Sequence, residues 1–257
     1  MNVKYKNLIF DLYGTLVDIH TEENDFVWEK TALFFGYYGA RYTPKELKEC
    51  FQRQMRSRQA AAGQSYECFP DIPVEQVMTQ LFRDQGVEEN AEALGVQAAQ
   101  LFRVASTEYI RLYPGVEACL DCLRRHGFRL WLLSNAQQVF TAYELRHLGL
   151  GAQFDGIYLS SDHGCRKPDP RFLGALLQKE ELNAQDCLMI GNDLDTDIAG
   201  ARAMGVDTLY LHTNLTPAEQ RMADPARHPA SAEDDCHDYE FEGCDWAELT
   251  ALLIRYA

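Results

Sequence analysis

Reactive side chains follow four short apolar runs in this sequence of 257 residues. In chain order they are Asp11, Ser134, Lys167 and the aspartates of Gly191-Asn192-Asp193-Leu194-Asp195-Thr196-Asp197. An aspartate can act as a nucleophile, a hydroxyl or a lysine can hold an anionic oxygen, and grouped carboxylates can bind a cation. Each group also has a purely structural explanation, because aspartate and serine cap turns and helices and lysine is usually exposed.

The aspartate cluster is the group that a capping role explains least well. Asp193, Asp195 and Asp197 lie within five residues of one another, and they repel each other unless a positive charge lies among them. Acidic side chains do suit a helix N-terminus, but three carboxylates exceed what capping needs. Because clustered carboxylate oxygens favour a hard cation, the spacing predicts a Mg²⁺ site.

Charge and composition limit the possible partners. The chain has 24 Lys and Arg against 39 Asp and Glu, a formal net charge of −15, and 46% of its residues are hydrophobic. An acidic globular protein of this kind repels phosphate backbones and anionic bilayers, so we predict no nucleic-acid partner and no membrane partner. We predict a small anionic substrate, held by a local cation, a lysine or a helix N-terminus. The oligomeric state is left open.

The start of the chain and its cysteines predict a cytoplasmic protein. A strand-like run begins at Leu8 and leaves no room for a signal peptide. No apolar run approaches the ~20 residues of a transmembrane helix. The eight cysteines are too dilute for a disulfide scaffold, so we expect thiols in a reducing compartment.

The elements around the reactive side chains predict an α/β fold with a parallel sheet. Five short runs are continuously apolar, as strands buried on both faces are, near 8–10, 130–133, 156–159, 188–190 and 208–211. Helical patterns lie between them at about 115–126, 136–148, 170–179 and 197–204. Since the strands of such a sheet end at one edge, the reactive side chains should gather at that edge.

More than a hundred residues separate the first predicted strand from the second. A crossover between parallel strands needs only about a dozen residues, so the excess predicts an inserted domain. This domain is expected to be mostly helical, with patterns near 26–35, 47–55 and 74–82. We assign it to residues 18–112, as a lid over the first strand, and the core to 1–17 and 113–257. Within the core, 213–244 is predicted to be a polar loop with a short strand near its end, at 239–241.

The order of the four groups resembles the motifs of the haloacid dehalogenase-like (HAD) hydrolase superfamily. The matching pieces are Asp11-Leu12-Tyr13-Gly14-Thr15, the strand end at Ser134, Lys167-Pro168, and Gly191-Asn192-Asp193 with Asp197. The insertion likewise matches the helical cap that this family carries between its first and second motifs. The resemblance covers about 1–17 and 113–212, and it implies a Rossmann-like core with an inserted, mostly helical cap domain.

The resemblance implies a role for each matching residue. Asp11 would be the nucleophile, and Lys167 would be a catalytic residue that steadies the transferred group. Substrate would also be bound by residues of the first two motifs, namely Tyr13, Gly14, Thr15, Ser134 and Asn135. Mg²⁺ would be bound by Asp193 with Asp11 and the backbone carbonyl of Tyr13. Asp197 would be the fourth residue of this metal site and would orient it from close by.

The tyrosine at position 13 leaves two hydrolase chemistries open. Most phosphatases of the family carry a second aspartate at this position, which protonates the leaving group, whereas Asp-x-Tyr-Gly-Thr resembles the motif of the 2-haloacid dehalogenases. Halide displacement needs neither a proton donor nor a metal. The dehalogenases, however, typically have serines and an asparagine in place of Gly191-Asn192-Asp193, and clustered aspartates would repel an anionic halo-acid.

We therefore predict a Mg²⁺-dependent phosphatase of small phosphorylated metabolites that acts through an aspartyl-phosphate on Asp11. Without the usual acid/base aspartate, it should prefer good leaving groups such as those of acyl and aryl phosphates. Two alternatives stay open. One is a metal-independent 2-haloacid dehalogenase acting through an aspartyl ester on Asp11, and the other is a catalytically silent binding protein.

Overall fold

A six-stranded parallel sheet forms the centre of the molecule. The computed structural model describes residues 4–62, 69–217 and 238–255. With strands numbered in chain order, the sheet consists of β1 (Asn7–Phe10), β4 (Arg129–Ser134), β5 (Gly156–Leu159), β6 (Cys187–Gly191), β7 (Asp207–His212) and β8 (Tyr239–Glu242). Their spatial order is β5-β4-β1-β6-β7-β8. This confirms the predicted α/β fold with a parallel sheet.

The sheet is buried on both faces, which explains the continuous apolar runs in the sequence. In β1, Leu8 and Phe10 pack into one hydrophobic cluster, while Ile9 between them packs into a second cluster on the opposite face. β6 repeats this alternation, with Leu188 and Ile190 on one side and Met189 on the other. Successive side chains of a strand point to opposite faces, so a strand covered on both sides must be apolar at every position.

Helices of the core cover the two faces of the sheet. They are α5 (Val116–Arg125), α6 (Gln138–His147), α7 (Ser160–His163), α8 (Pro170–Lys179), α9 (Ala199–Ala203) and α10 (Trp246–Arg255). Helices α5 and α10 pack on one face and α8 on the other. The predicted helix at 197–204 is shorter than expected, because a π-helical turn, Leu194–Ile198, precedes α9. Much of the predicted loop at 213–244 lies outside the described residues.

The described part of the inserted segment contains four helices and a two-stranded ribbon. The helices are α1 (Asp25–Tyr37), α2 (Pro44–Ala62), α3 (Val74–Arg83) and α4 (Ala91–Ser106), and they share a hydrophobic cluster of their own. The ribbon pairs β2 (Val17–Thr21) antiparallel to β3 (Thr107–Leu112), and its Ile19 packs into the cluster of the sheet. Neither α4 nor the ribbon was expected from the sequence. The domain boundaries at 18 and 112 stay a prediction.

Across the described residues, no helix combines the length and apolarity that a bilayer crossing requires.

A short segment of the insertion, residues 69–71, runs along the core loop that precedes α8, and we call it the strap. The Arg166 amide donates to the Phe69 carbonyl at 2.9 Å, and the Asp71 amide donates to the Gly164 carbonyl at 3.2 Å. The Asp71 carboxylate also accepts hydrogen bonds from the side chains of Gln137, at 2.9 Å, and Ser160. Burial raises the pKa of Asp71 above its ordinary value. The strap therefore holds the insertion against the loop that carries Lys167.

The crossing of α3 and α4 depends on a glycine. A Cβ at Gly95 would lie 2.1 Å from Thr79 Oγ1 and 2.7 Å from the Glu75 carbonyl oxygen, so Gly95→Ala should lower the free energy of unfolding by about 1–3 kcal/mol. Gly36→Ala in α1 is the matched control, because nothing lies within 4 Å of its added methyl group. It should stabilise the protein by about 0.5 kcal/mol, since alanine is the better helix former. The free energies of unfolding of both variants are measured in urea. An unchanged value for Gly95→Ala would contradict the close packing of α3 and α4.

Candidate active site

The four sequence groups meet at the carboxyl ends of the central strands. Asp11 directly follows β1, Ser134 ends β4, and Asp193 follows β6. Lys167 comes from the loop between α7 and α8. They surround a cavity of about 230 Å³, whose lining consists of Asp11, Tyr13, Ser134, Asn135, Lys167, Asn192, Asp193, Thr196, Asp197, Leu215 and Pro217. The structure thus brings together all the predicted site residues except Gly14 and Thr15.

Lys167 is the central positive charge of this site. Its ammonium group lies 2.6 Å from Asp11 Oδ1 and 2.6 Å from Asp197 Oδ1, and it also donates to the Leu133 carbonyl at 2.8 Å. Burial alone would lower the pKa of Lys167, but the two carboxylates outweigh that effect and raise it. Lys167 therefore stays charged at neutral pH and neutralises part of the surrounding negative charge.

Asp11 presents its two carboxylate oxygens differently. Oδ1 accepts hydrogen bonds from Lys167 and, at 3.3 Å, from the Ser134 hydroxyl. Within the described parts of the chain, no hydrogen-bond donor reaches Oδ2. A carboxylate that lines a cavity and is held through one of its oxygens has the geometry of a positioned nucleophile.

Asp197 is held entirely by protein groups. Its Oδ1 contacts Lys167, and its Oδ2 accepts hydrogen bonds from the amides of Asn192 and Asp193, both at 3.1 Å. Gly191 permits this approach, because a Cβ there would lie 2.3 Å from Asp197 Oδ2. Burial raises the pKa of Asp197, and the Lys167 charge opposes that rise. These contacts suit an anchor for Lys167, while direct metal binding by Asp197 stays a prediction.

Asp193 lines the same cavity as Asp11 and starts the π-helical turn. Its Oδ1 accepts hydrogen bonds from the amides of Asp195, at 2.9 Å, and Thr196, at 3.3 Å. The carboxylate is therefore fixed by the backbone at the mouth of the cavity. Asp11, Asp193 and the Tyr13 carbonyl offer only oxygen donors, a set that fits a hard cation such as Mg²⁺.

A second group of potential metal ligands lies elsewhere. Among the described residues, His212, Glu240 and Glu242 are the three side chains of this kind whose ligand atoms fall within 4.8 Å of one another. They lie on β7 and β8, outside the cavity. Two of the site aspartates are instead bridged by Lys167, and the Asp195 side chain is exposed and does not line the cavity. Of the three aspartates predicted as a cluster, Asp193 and Asp197 therefore line one cavity, whereas Asp195 lies outside it.

The Tyr13 hydroxyl is engaged by neighbours that the sequence analysis did not identify. It donates to Glu144 Oε2 and lies 2.9 Å from Thr141 Oγ1. Glu144 in turn accepts two hydrogen bonds from Arg103. Burial and the Glu144 charge raise the pKa of Tyr13 well above its ordinary value. Glu144 lies on the buried face of α6, next to Leu145 and one helical turn from Thr141, but the sequence pattern of this helix does not reveal that the glutamate is paired.

Gly14 and Thr15 contact Asn192, which lines the cavity. The φ angle of Gly14 is +86°, and a Cβ there would lie 2.5 Å from Asn192 Nδ2, so glycine is required twice over. The Thr15 side chain is fully buried, and its hydroxyl donates to Asn192 Oδ1 at 3.2 Å. Their roles as substrate contacts stay predictions. In this structure they place Asn192, a cavity residue that was part of the quoted motif but not among the predicted contacts.

Asn135 holds the backbone of Lys167. Its side-chain amide donates to the Lys167 carbonyl at 3.1 Å, and its Oδ1 accepts a hydrogen bond from the Lys167 amide at 2.8 Å. The loop that carries the lysine is therefore fixed to the end of β4. Substrate binding by Asn135 stays a prediction.

The charge balance at Lys167 predicts opposite effects of two substitutions. Lys167→Met leaves two buried carboxylates without their cation, so the free energy of unfolding should fall by about 3–5 kcal/mol. Asp11→Asn removes the excess negative charge, so its free energy of unfolding should stay within about 1 kcal/mol of the parent protein or exceed it. Both are measured by urea unfolding with a chelator present. Equal losses in the two variants would contradict the arrangement described above.

Comparison with known proteins gives a family for this site. The sequence model of the haloacid dehalogenase-like hydrolases matches residues 5–205. Glyceraldehyde 3-phosphate phosphatase from Pyrococcus abyssi (strain GE5 / Orsay) is 30% identical over 103 residues, which are 40% of this chain and 43% of that enzyme. The match therefore spans less than half of that relative's length.

Two solved structures share the fold along nearly their whole length. A 2-haloacid dehalogenase from Pseudomonas syringae pv. Tomato DC3000 has a TM-score of 0.63 at 21% identity, with 98% of this chain and 100% of that chain covered. The HAD-hydrolase YfnB from Bacillus subtilis, solved bound to magnesium, has a TM-score of 0.53 at 21% identity, with 97% and 99% covered. At such identities the likeness shows the fold alone. Because the family model covers residues 5–205, the chain belongs to the haloacid dehalogenase-like hydrolases.

Proposed function

We propose that this hydrolase is a Mg²⁺-dependent phosphatase of small phosphorylated metabolites. One observation carries the proposal: the cavity is lined by the carboxylates of Asp11, Asp193 and Asp197, and Lys167 is the only lysine or arginine among the described residues that line it. This excess of negative charge would repel an anionic substrate unless a cation joins it. The oxygen donors of Asp11, Asp193 and the Tyr13 carbonyl are the residues that would hold Mg²⁺. When bound, the ion would neutralise charge on the transferring phosphoryl group.

Asp11 carries out the covalent chemistry in this proposal. Its Oδ2 attacks phosphorus, the bond from phosphorus to the leaving oxygen breaks, and the leaving group departs with the electron pair. Lys167 and Ser134 hold Oδ1, so that the attacking oxygen keeps its direction. Water then attacks phosphorus in the aspartyl-phosphate, and the bond from phosphorus to Asp11 Oδ2 breaks with its electron pair returning to the carboxylate. Both protons of the water leave with the product as dihydrogen phosphate.

The surroundings of Tyr13 support a preference for good leaving groups. Its hydroxyl donates to Glu144, so its proton is already engaged in a hydrogen bond. A general acid usually contributes about 10²–10⁴-fold to rate, and leaving groups that depart unprotonated do not need it. Acyl and aryl phosphates therefore fit this site better than alkyl phosphates.

The engaged hydroxyl of Tyr13 also favours a second candidate function. In a 2-haloacid dehalogenase, Asp11 Oδ2 would displace halide from carbon, form an ester and need no proton donor. The Asp11-Leu12-Tyr13-Gly14-Thr15 segment suits that chemistry. The carboxylate of Asp193 weakens it, because it would repel the halo-acid. A catalytically silent protein would bind Mg²⁺ or ligand without turnover.

A cytoplasmic location also belongs to the proposal. The described cysteines form no disulfide bond.

A substrate panel separates these functions. The purified protein is given an aryl phosphate or a 2-chloro acid, each with Mg²⁺ and with a chelator, and released phosphate and chloride are measured. We expect phosphate release that falls at least about 100-fold with chelator, because the metal stabilises the transferred charge. Chloride release that is indifferent to chelator would establish the dehalogenase instead, and no release in any arm would leave the silent protein. Asp11→Asn is the control and should abolish either activity.

The missing general acid predicts a further difference. With Mg²⁺, kcat/KM for an aryl phosphate should exceed that for an alkyl phosphate of similar size by about 10²-fold or more. Tyr13→Asp should narrow the gap by raising the alkyl rate, since it restores a carboxyl group at this position. Equal rates on the two substrates in the parent protein would exclude the explanation based on Tyr13.

A further inference from the structure

One ion pair connects the helical insertion with the core beside the cavity. Arg103 lies on α4 of the insertion and Glu144 on α6 of the core. Arg103 Nε lies 2.7 Å from Glu144 Oε1 and Arg103 Nη2 lies 3.0 Å from Glu144 Oε2, which is a bidentate arrangement. The two side chains are only 15% and 11% exposed, so solvent screens this pair weakly.

The ion pair ends on Tyr13, a residue of the loop that follows the nucleophile. Glu144 accepts the hydrogen bond of the Tyr13 hydroxyl, and the Arg103 guanidinium lies 5.2 Å from the centre of the Tyr13 ring. The same guanidinium lies 4.7 Å from the ring centre of Phe140. Tyr13 is therefore held at its hydroxyl by the core and at its ring face by the insertion.

We propose that Arg103 and Glu144 are positioning residues that set the conformation of the Asp11 loop through Tyr13. This inference rests on the proposed function for its effect on catalysis. Tyr13 lines the cavity, lies two residues after Asp11, and carries the carbonyl assigned to the metal. A displacement of Tyr13 would therefore also move the neighbouring Asp11, the cavity wall and the carbonyl assigned to the metal. Because Arg103 belongs to the insertion, the catalytic loop reaches its working conformation only when α4 is packed on α6.

The charge of Glu144 makes this arrangement sensitive to Arg103. A largely buried carboxylate that loses its bidentate partner is no longer held by those two hydrogen bonds and can change its orientation. Such a change would alter the acceptor that holds the Tyr13 hydroxyl. The neighbouring Gln100 provides a comparison, since its Nε2 donates to the Val139 carbonyl at 3.1 Å and joins the same two helices without contacting Tyr13.

A double-mutant cycle tests whether Arg103 acts through Tyr13. The variants are R103M, Y13F and the double substitution, assayed on an aryl phosphate with Mg²⁺. We expect R103M to lower kcat about 10-fold with KM changed by less than about twofold, and to have less than about a twofold effect in the Y13F background. An equal loss of kcat in both backgrounds would overturn the proposal. Should R103M fail to fold, R103K replaces it, because lysine keeps the charge but loses the bidentate geometry.

Hydrogen exchange provides a readout that does not need turnover. The amides of residues 14–17 bond within the loop to the carbonyls of Leu12 and Val17. R103M should increase their exchange rate at least about fivefold, and the control Q100A should leave it within about twofold of the parent protein. Unchanged exchange in R103M, or an equal increase in Q100A, would overturn the proposal. If no phosphate is released at all, the proposed function fails, and this measurement still decides whether Arg103 positions the loop.

Discussion

Two buried carboxylates share one ammonium group at the centre of this protein. Asp11, Lys167 and Asp197 are each at most 6% exposed, and Lys167 lies 2.6 Å from an oxygen of both aspartates. Without the lysine, the two negative charges would repel each other in a medium that screens them poorly. Without the carboxylates, burial would lower the pKa of the Lys167 ammonium. The three loops that carry these side chains therefore stabilise one another.

The sheet order explains how these loops meet. From β1 the chain proceeds to β4 and β5 on one side and later to β6, β7 and β8 on the other, so β1 lies where the order reverses. Such a point opens a crevice at the carboxyl ends of the strands. Asp11, Ser134 and Asp193 reach it directly from adjacent strands. Lys167 follows the outer strand β5, and its long side chain spans the remaining distance to Asp11.

The helical insertion contacts the site from outside the described lining of its cavity. The described residues that line the cavity all lie outside 18–112, the predicted range of the insertion. The insertion instead contacts two loops that carry site residues. Its strap at Phe69 bonds to the backbone of Arg166, next to Lys167, and its Arg103 reaches Tyr13 through Glu144. Because these loops carry Tyr13 and Lys167, a movement of the insertion would reach both of them.

The sequence by itself determined the alternation of strands and helices and the side chains that follow each strand. Burial on both faces demands an unbroken apolar run, and Asp169 and Pro170 mark the start of α8 locally. Tertiary structure alone decided the β2–β3 ribbon, the partners of Lys167 and the link from Tyr13 to Arg103. These contacts join positions far apart in the chain, and a local pattern cannot distinguish a paired buried glutamate such as Glu144 from a solvated one.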